Sequence, residues 1–103
     1  MDRSSVITLI GRTRTQDSTG VWRDGAETRR DVFCQVQSVS RAEFFAAGQI
    51  GLKPDYCFIV FFADYEGEDL VEYNGARYVI YRTYHARTDD LELYAQREVG
   101  VHG

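Results

Sequence analysis

The residues that could do chemistry in this chain are few: two histidines, two cysteines and one dense run of acids. Catalysis by such groups needs a base within reach of a nucleophile, and a metal needs ligands spaced onto one face. His85 stands between Tyr84 and Ala86 in a strand-like segment and His102 lies near the end. Neither has a partner at triad or ligand spacing. Cys34 and Cys57 form no C-x-x-C pair and read as small buried apolar residues; a disulfide between them would need an oxidising compartment. Asp64, Glu66, Glu68, Asp69 and Glu72 place five acids within nine residues and no base among them. A calcium loop requires Gly at its sixth position, and counting from Asp64 that position is Asp69. The run reads instead as a solvated acidic turn, with a DNA-repelling face or a contact to a partner as alternatives. Gly48-Gln49-Ile50-Gly51 matches the bare GxxG of a KH loop, but only Arg41 and Lys53 flank it. No GxSxG, P-loop, HExxH or GxGxxG occurs. No catalytic residue, metal or cofactor is expected.

Charge and composition narrow the classes further. Twelve basic residues face sixteen acids, a net charge of −4. Residues 1–31 carry six Arg and five acids, whereas residues 32–103 are net −5. A sequence-reading DNA binder shows a basic stripe, and none is visible. The longest apolar run, Tyr56 to Ala63, is eight residues, against about 20 for a membrane helix. Met1-Asp2-Arg3-Ser4-Ser5 opens no signal peptide. A soluble, intracellular protein is expected, folded as one domain over its 103 residues. Aromatics are 14% of the chain, so much ring surface must be buried within the fold or between copies.

The elements that would position these residues are mostly strands. Val6–Ile10 is aliphatic and β-branched, and Val32, Cys34 and Val36 alternate with Phe33, Gln35 and Gln37. Thr15–Thr28 between them is polar and reads as a long loop or an extended hairpin arm; Trp22 within it is a satellite core residue or an interface anchor. Ser40-Arg41-Ala42-Glu43 is a capping box, with Val39 and Phe44 at the staple positions, and Gly48 suits a left-handed helix end. These signals predict a helix over about residues 41–47. Tyr56–Ala63 is apolar on both faces and must be covered on both, by the helix on one and by a neighbouring subunit on the other. Leu70–Tyr73, the Asn74-Gly75 turn and Arg77–Arg87 form a hairpin, and Leu91–Val99 alternates again. The predicted fold is mainly β, a small barrel of about six antiparallel strands with one short helix between the second and third.

Two stretches carry a family resemblance. Val36–Tyr65 reads VQSVSRAEFFAAGQIGLKPDYCFIVFFADY, and Glu72–Leu93 reads EYNGARYVIYRTYHARTDDLEL. Both resemble the head-tail adaptor, or head closure, proteins of tailed bacteriophages and prophages, and the ITLI segment near the amino terminus fits as well. The resemblance covers nearly the whole chain and brings no catalytic motif with it. It implies a virion neck protein: a β-barrel subunit forming a ring, of twelve-fold symmetry, between the portal-bound adaptor and the tail terminator or tail tube. Such a ring closes the DNA-filled head and later forms the exit channel, with DNA passing through unread and no membrane involved. Related connectors plug the channel with the segment between the second and third strands. Here that segment is Ser40–Asp55, with Gln49, Ile50, Gly51, Leu52 and Lys53 as the gate. The acidic run 64–72 is a candidate channel lining or contact. Trp22, Phe45, Tyr56 and Phe58 are the candidate interface residues. Phe44 and Phe45 are adjacent, so one helix cannot bury both equally; Phe44 serves the staple and Phe45 is offered outward. A tail completion ring protein, or more remotely a small nucleic-acid-binding barrel, is the alternative reading.

Overall fold

The computed structural model of the chain describes residues 4–16, 18–20 and 22–98, and of residues 12–16 and 22–25 the backbone. Strands β1 (Ser5–Gln16) and β2 (Trp22–Gln37) lead into helix α1 (Arg41–Gly48). Strand β3 (Tyr56–Phe61) follows, then a short 3-10 turn (Phe62–Asp64), β4 (Leu70–Tyr73), β5 (Ala76–His85) and β6 (Asp90–Arg97). Neighbouring strands are antiparallel in the order β1-β2-β3-β6-β5-β4, and β4 pairs back onto β1 to close a barrel. The fold is therefore the expected one: mainly β, six strands, with the helix between the second and third.

Alternation along each strand builds the interior. Ile7 and Leu9, Val32 and Cys34, Phe58 and Val60, and Val71, Tyr78, Leu91, Leu93 and Ala95 form one cluster, each strand sending every second side chain inward. Tyr56, Phe58, Tyr73 and Tyr78 meet tilted or edge to face, with ring centroids 5.4–5.9 Å apart, the arrangement that the ring quadrupole favours. On the opposite face of β3, Cys57 and Ile59 are also buried. That face is thus covered within one chain at Cys57 and Ile59, and left open only at Phe61, which is exposed.

The local signals are partly realised. Asn74 and Gly75 take φ values of 50° and 78°, as a type I′ turn requires. Ser40 Oγ accepts from the Glu43 amide at 3.2 Å, which is half of the capping box; the Glu43 carboxylate does not return to Ser40 but turns to the barrel. The helix end also differs from expectation. Gly48 remains helical, and the left-handed residue is Gly51, at φ 83°. The chain makes one further turn, with the Ile50 and Leu52 amides both donating to Ala47 O at 3.1 and 3.0 Å.

Residues 15–16 and 22–28 form the arm rather than the loop. β1 pairs with β4 only over Thr8–Ile10, and β2 with β3 only over Cys34–Gln37, while β1 and β2 pair with each other out to Gln16 and Trp22. Arg77 clamps the base of this arm, both guanidinium nitrogens lying 3.1 Å from the Glu27 carboxylate. Trp22 opens β2, and its side chain, like all of His102, lies outside the described residues.

Candidate assembly surface

The barrel completes its own core, yet large apolar side chains remain on its outside. Alternation decides which. With Ile7, Cys34 and Val60 inside, Val6, Phe33 and Phe61 point out, and all three are exposed. Val6 pairs with Phe33 across β1 and β2. The β2–β3 register, Cys34 opposite Val60, sets Phe33 beside Phe61 one step further on. These residues make a ridge across three neighbouring strands. Phe62 extends it: its ring stacks on His85 at 4.3 Å and 10°, and His85 Nε2 lies 3.0 Å from Thr88 O.

A second exposed group sits on the helix and its following turn. Phe44, Phe45 and Ile50 are all more than half exposed, Phe45 at 66%. Only Ala47 of the helix is buried, so hydrophobic packing does little to hold α1 in place. A polar anchor does more. The β5–β6 register shifts between Ile80 and Arg82, and such an extra residue re-aims side chains. Here it brings two consecutive residues to one carboxylate: Tyr81 donates to Glu43 Oε2 at 2.7 Å and Arg82 Nη2 donates to Oε1. The Arg82 guanidinium also lies 4.2 Å over the Tyr94 ring, and Tyr94 in turn donates its hydroxyl to Glu92. Burial pushes the Glu43 carboxyl up, but the bonds from Arg82 and Tyr81 outweigh it and hold the group below the ordinary carboxylate range.

Replacing Glu43 by Gln leaves volume and one acceptor but removes the charge that Arg82 faces. We expect a loss of about 1–2 kcal/mol, the low end for a charged hydrogen bond because Arg82 is partly solvated. The urea midpoint reads it, and a variant indistinguishable from wild type would mean that this carboxylate does not fasten the helix.

The same neighbourhood holds no reactive nucleophile. Both cysteines are free and buried. Burial pushes Cys34 up to about 11, and burial together with the Glu92 charge pushes Cys57 up to about 12. Thiols held so high are protonated at neutral pH and inert. Among the described residues no group of three or more His, Cys, Asp or Glu side chains could hold a metal, and no helix is long and apolar enough to cross a membrane.

The acidic run differs from a solvated turn, because β2 supplies the bases that the local sequence lacks. Glu68 is only 6% exposed. Its Oε2 accepts from Arg30 Nε at 3.1 Å and Nη2 at 2.6 Å, and its Oε1 accepts from the Glu66 amide at 2.7 Å. Arg30 Nη2 also donates to Asp64 O, and Arg29 pairs with Glu72 at 3.0 Å. Gly11 permits this closeness: a Cβ there would lie 2.9 Å from Thr28 Oγ1 and 3.3 Å from Glu68 Cγ. Glu68 is therefore removed from the candidate lining, since its charge is turned inward onto Arg30. Glu66 and Asp69 are exposed.

The segment expected to act as a gate starts at the helix end. Gln49, Ile50, Gly51 and Lys53 are exposed and Leu52 is half-buried. The Lys53 amide donates to Gln96 Oε1 at 2.9 Å and the Asp55 amide to Ala95 O at 2.9 Å, so the segment runs back along the end of β6 beside an open cleft of about 630 Å³. Of the candidate interface residues, Phe45 is offered outward, and Tyr56 is half-buried with its ring in the aromatic cluster. Phe58 is a correction: it is 0% exposed inside the barrel, where no partner reaches it. Its strand reads apolar on both sides, so sequence alone does not say which face is the interior. Phe33, Phe61 and Phe62 were missed as surface residues. For Phe33 the signal was present, since alternation places it with Gln35 and Gln37.

No protein-family model matches the chain, and the search of curated proteins likewise returns no match.

Proposed function

We propose that the chain is a structural subunit of a bacteriophage neck, forming a ring between the portal-bound adaptor and the tail that closes the filled head and becomes the DNA exit channel. One observation carries the reading. A barrel that already buries a complete core still displays aromatic side chains on a strand ridge, on the helix and at Tyr84 of β5. Exposed apolar side chains of this kind mark contacts with other proteins, and so many on one small subunit suit assembly with further copies. The resemblance of the SRAEFF helix, the AGQ-x-GLKP linker and the EYNG hairpin to head closure proteins supports the same conclusion.

The charge balance agrees. Each phosphate that a channel wall neutralises adds affinity through counterion release, so a basic lumen would hold DNA back. A chain of net charge −4 lets it slide. Salt-dependent retention on DNA cellulose is expected to be negligible; strong retention would favour a nucleic-acid-binding barrel.

Native mass spectrometry of the protein mixed with assembled portal–adaptor complexes tests the proposal. Ordered addition of twelve copies is the expected result. No addition, with rings formed alone or on tail tubes, would turn the assignment to a tail completion protein. The gate role of residues 49–53 has its own test. A variant lacking Gln49–Leu52 should still allow packaging but yield heads that leak DNA, measured as nuclease-sensitive genome. Heads that stay sealed would remove this segment from the closure.

A further inference from the structure

The helix is attached to the molecule differently from the strands. The strands are held by their ladders and by a shared core. Of α1 only Ala47 is buried, and Phe44, Phe45 and Ile50 are left exposed. Glu43 ties the helix to β5, where it takes hydrogen bonds from Tyr81 and Arg82. Beyond the helix the chain is tied to β6, through the Lys53 and Asp55 amides. Gly51, between these two attachments, holds a positive φ.

The Glu43 carboxylate sits beside a row of side chains on the outer face of the sheet. Phe58, Leu93 and Ala95 belong to the core, so Cys57 of β3 and Tyr94 of β6, opposite one another in the ladder, point outward. Arg82 is the partner of Tyr94 on the β5 side, and its guanidinium lies over the Tyr94 ring. Cys57 faces out of the barrel and is nevertheless only 3% exposed. Burial acts first on its thiol, followed by Glu92, Tyr94, Arg82 and Glu43, so the acid of α1 is part of its surroundings. A strand that leaves the core gives up its buried apolar area. Hydrogen bonds to one carboxylate are exchanged for bonds to water at small net cost. Regions with few buried apolar contacts open locally while the rest of a fold stays closed. We infer that α1 is a latched cover: it lifts from the outer face at Cys57 when Glu43 releases Tyr81 and Arg82, and it carries Gln49–Leu52 with it while the barrel stays closed. The device belongs to the single chain and does not rest on the ring reading; in a ring it would move the segment expected to act as a gate.

The two thiols test it. Cys57 reports the lifting of the helix, and Cys34, fully buried inside the barrel, reports unfolding. The protein is alkylated with iodoacetamide at one pH over a urea series well below the unfolding midpoint, and the two sites are resolved by peptide mass mapping. Local opening exposes little surface and global unfolding exposes much, so the two differ in their dependence on urea. Cys57 should react faster than Cys34, at a rate that hardly changes with urea, while the Cys34 rate climbs steeply. Glu43→Gln should raise the Cys57 rate about tenfold, the low end for losing one charged hydrogen bond, and keep the shallow dependence on urea. Tyr81→Phe, which keeps the ring, should raise it by less. A Cys57 rate that climbs with urea as steeply as that of Cys34 would show that the helix leaves only when the barrel unfolds, which overturns the inference. A Glu43→Gln rate equal to that of wild type overturns it as well, because another contact then holds the helix down.

Discussion

Phe58→Ala is expected to lower the free energy of unfolding by about 3–5 kcal/mol, the range for a large aromatic removed from a well-packed core. Phe58 is fully buried and its ring meets Tyr56, Tyr73 and Tyr78. Deleting it takes the centre out of an aromatic cluster contributed by β3, β4 and β5. Those strands surround the space, so the walls cannot collapse into it without breaking ladder bonds. A domain of this length has only about 5–15 kcal/mol in hand, so the variant should be partly unfolded at physiological temperature. Equilibrium urea unfolding at low temperature measures the loss. A small loss combined with weakened association would place Phe58 at a subunit interface instead, against the barrel interior described above.

Arg30→Leu is the second large effect. It strands the Glu68 carboxylate, which is buried and takes two hydrogen bonds from that guanidinium. Breaking a buried pair from one side costs about 3–5 kcal/mol. Arg30 is itself about one third exposed, so solvent screens part of its contribution and about 2–4 kcal/mol is expected here. Replacing both partners with Leu should recover part of the loss, because no charge is then left behind. The pH dependence has a definite sign. Burial pushes the Glu68 carboxyl up, but the Arg30 bonds and the backbone amides dominate and hold it low. A depressed carboxyl stabilises the fold above its unfolded value, about 4.3 for Glu, and that contribution is lost as pH falls through the folded value. Wild type therefore loses stability in acid. Without Arg30 the carboxyl prefers to be neutral, so the penalty of the variant should shrink as pH falls. A penalty that is flat from neutral pH into acid would show that Glu68 is not the group left stranded.

These two positions mark where the sequence is readable and where it is not. The Asn74-Gly75 hairpin, the Ser40 cap and the alternation in β2 are local: a few neighbouring residues fix a turn or a face, and each element formed where expected. The partnership of Arg30 with Glu68 joins residues far apart in sequence, and nothing near either of them announces it. The acids looked solvated because their bases lie on another strand. Phe58 was misplaced for a related reason, since a strand apolar on both sides carries no mark of which side is the interior. Gly48 and Gly51 show a finer limit: both fit a helix end, and the extra turn bonded to Ala47 selects the second.

The closure of β4 onto β1 has a consequence for a protein that displays so many aromatic side chains. Open sheet edges offer unpaired amides and carbonyls, and next to exposed rings they are the usual seed of aggregation. Closing the barrel pairs the strands of its body on both sides, and open edges are left along the β1–β2 arm, where each strand has only the other as a partner. Copies that collide barrel to barrel can touch through side chains but cannot zip into a growing sheet; only the arm offers free backbone. Encounters made through side chains alone remain reversible.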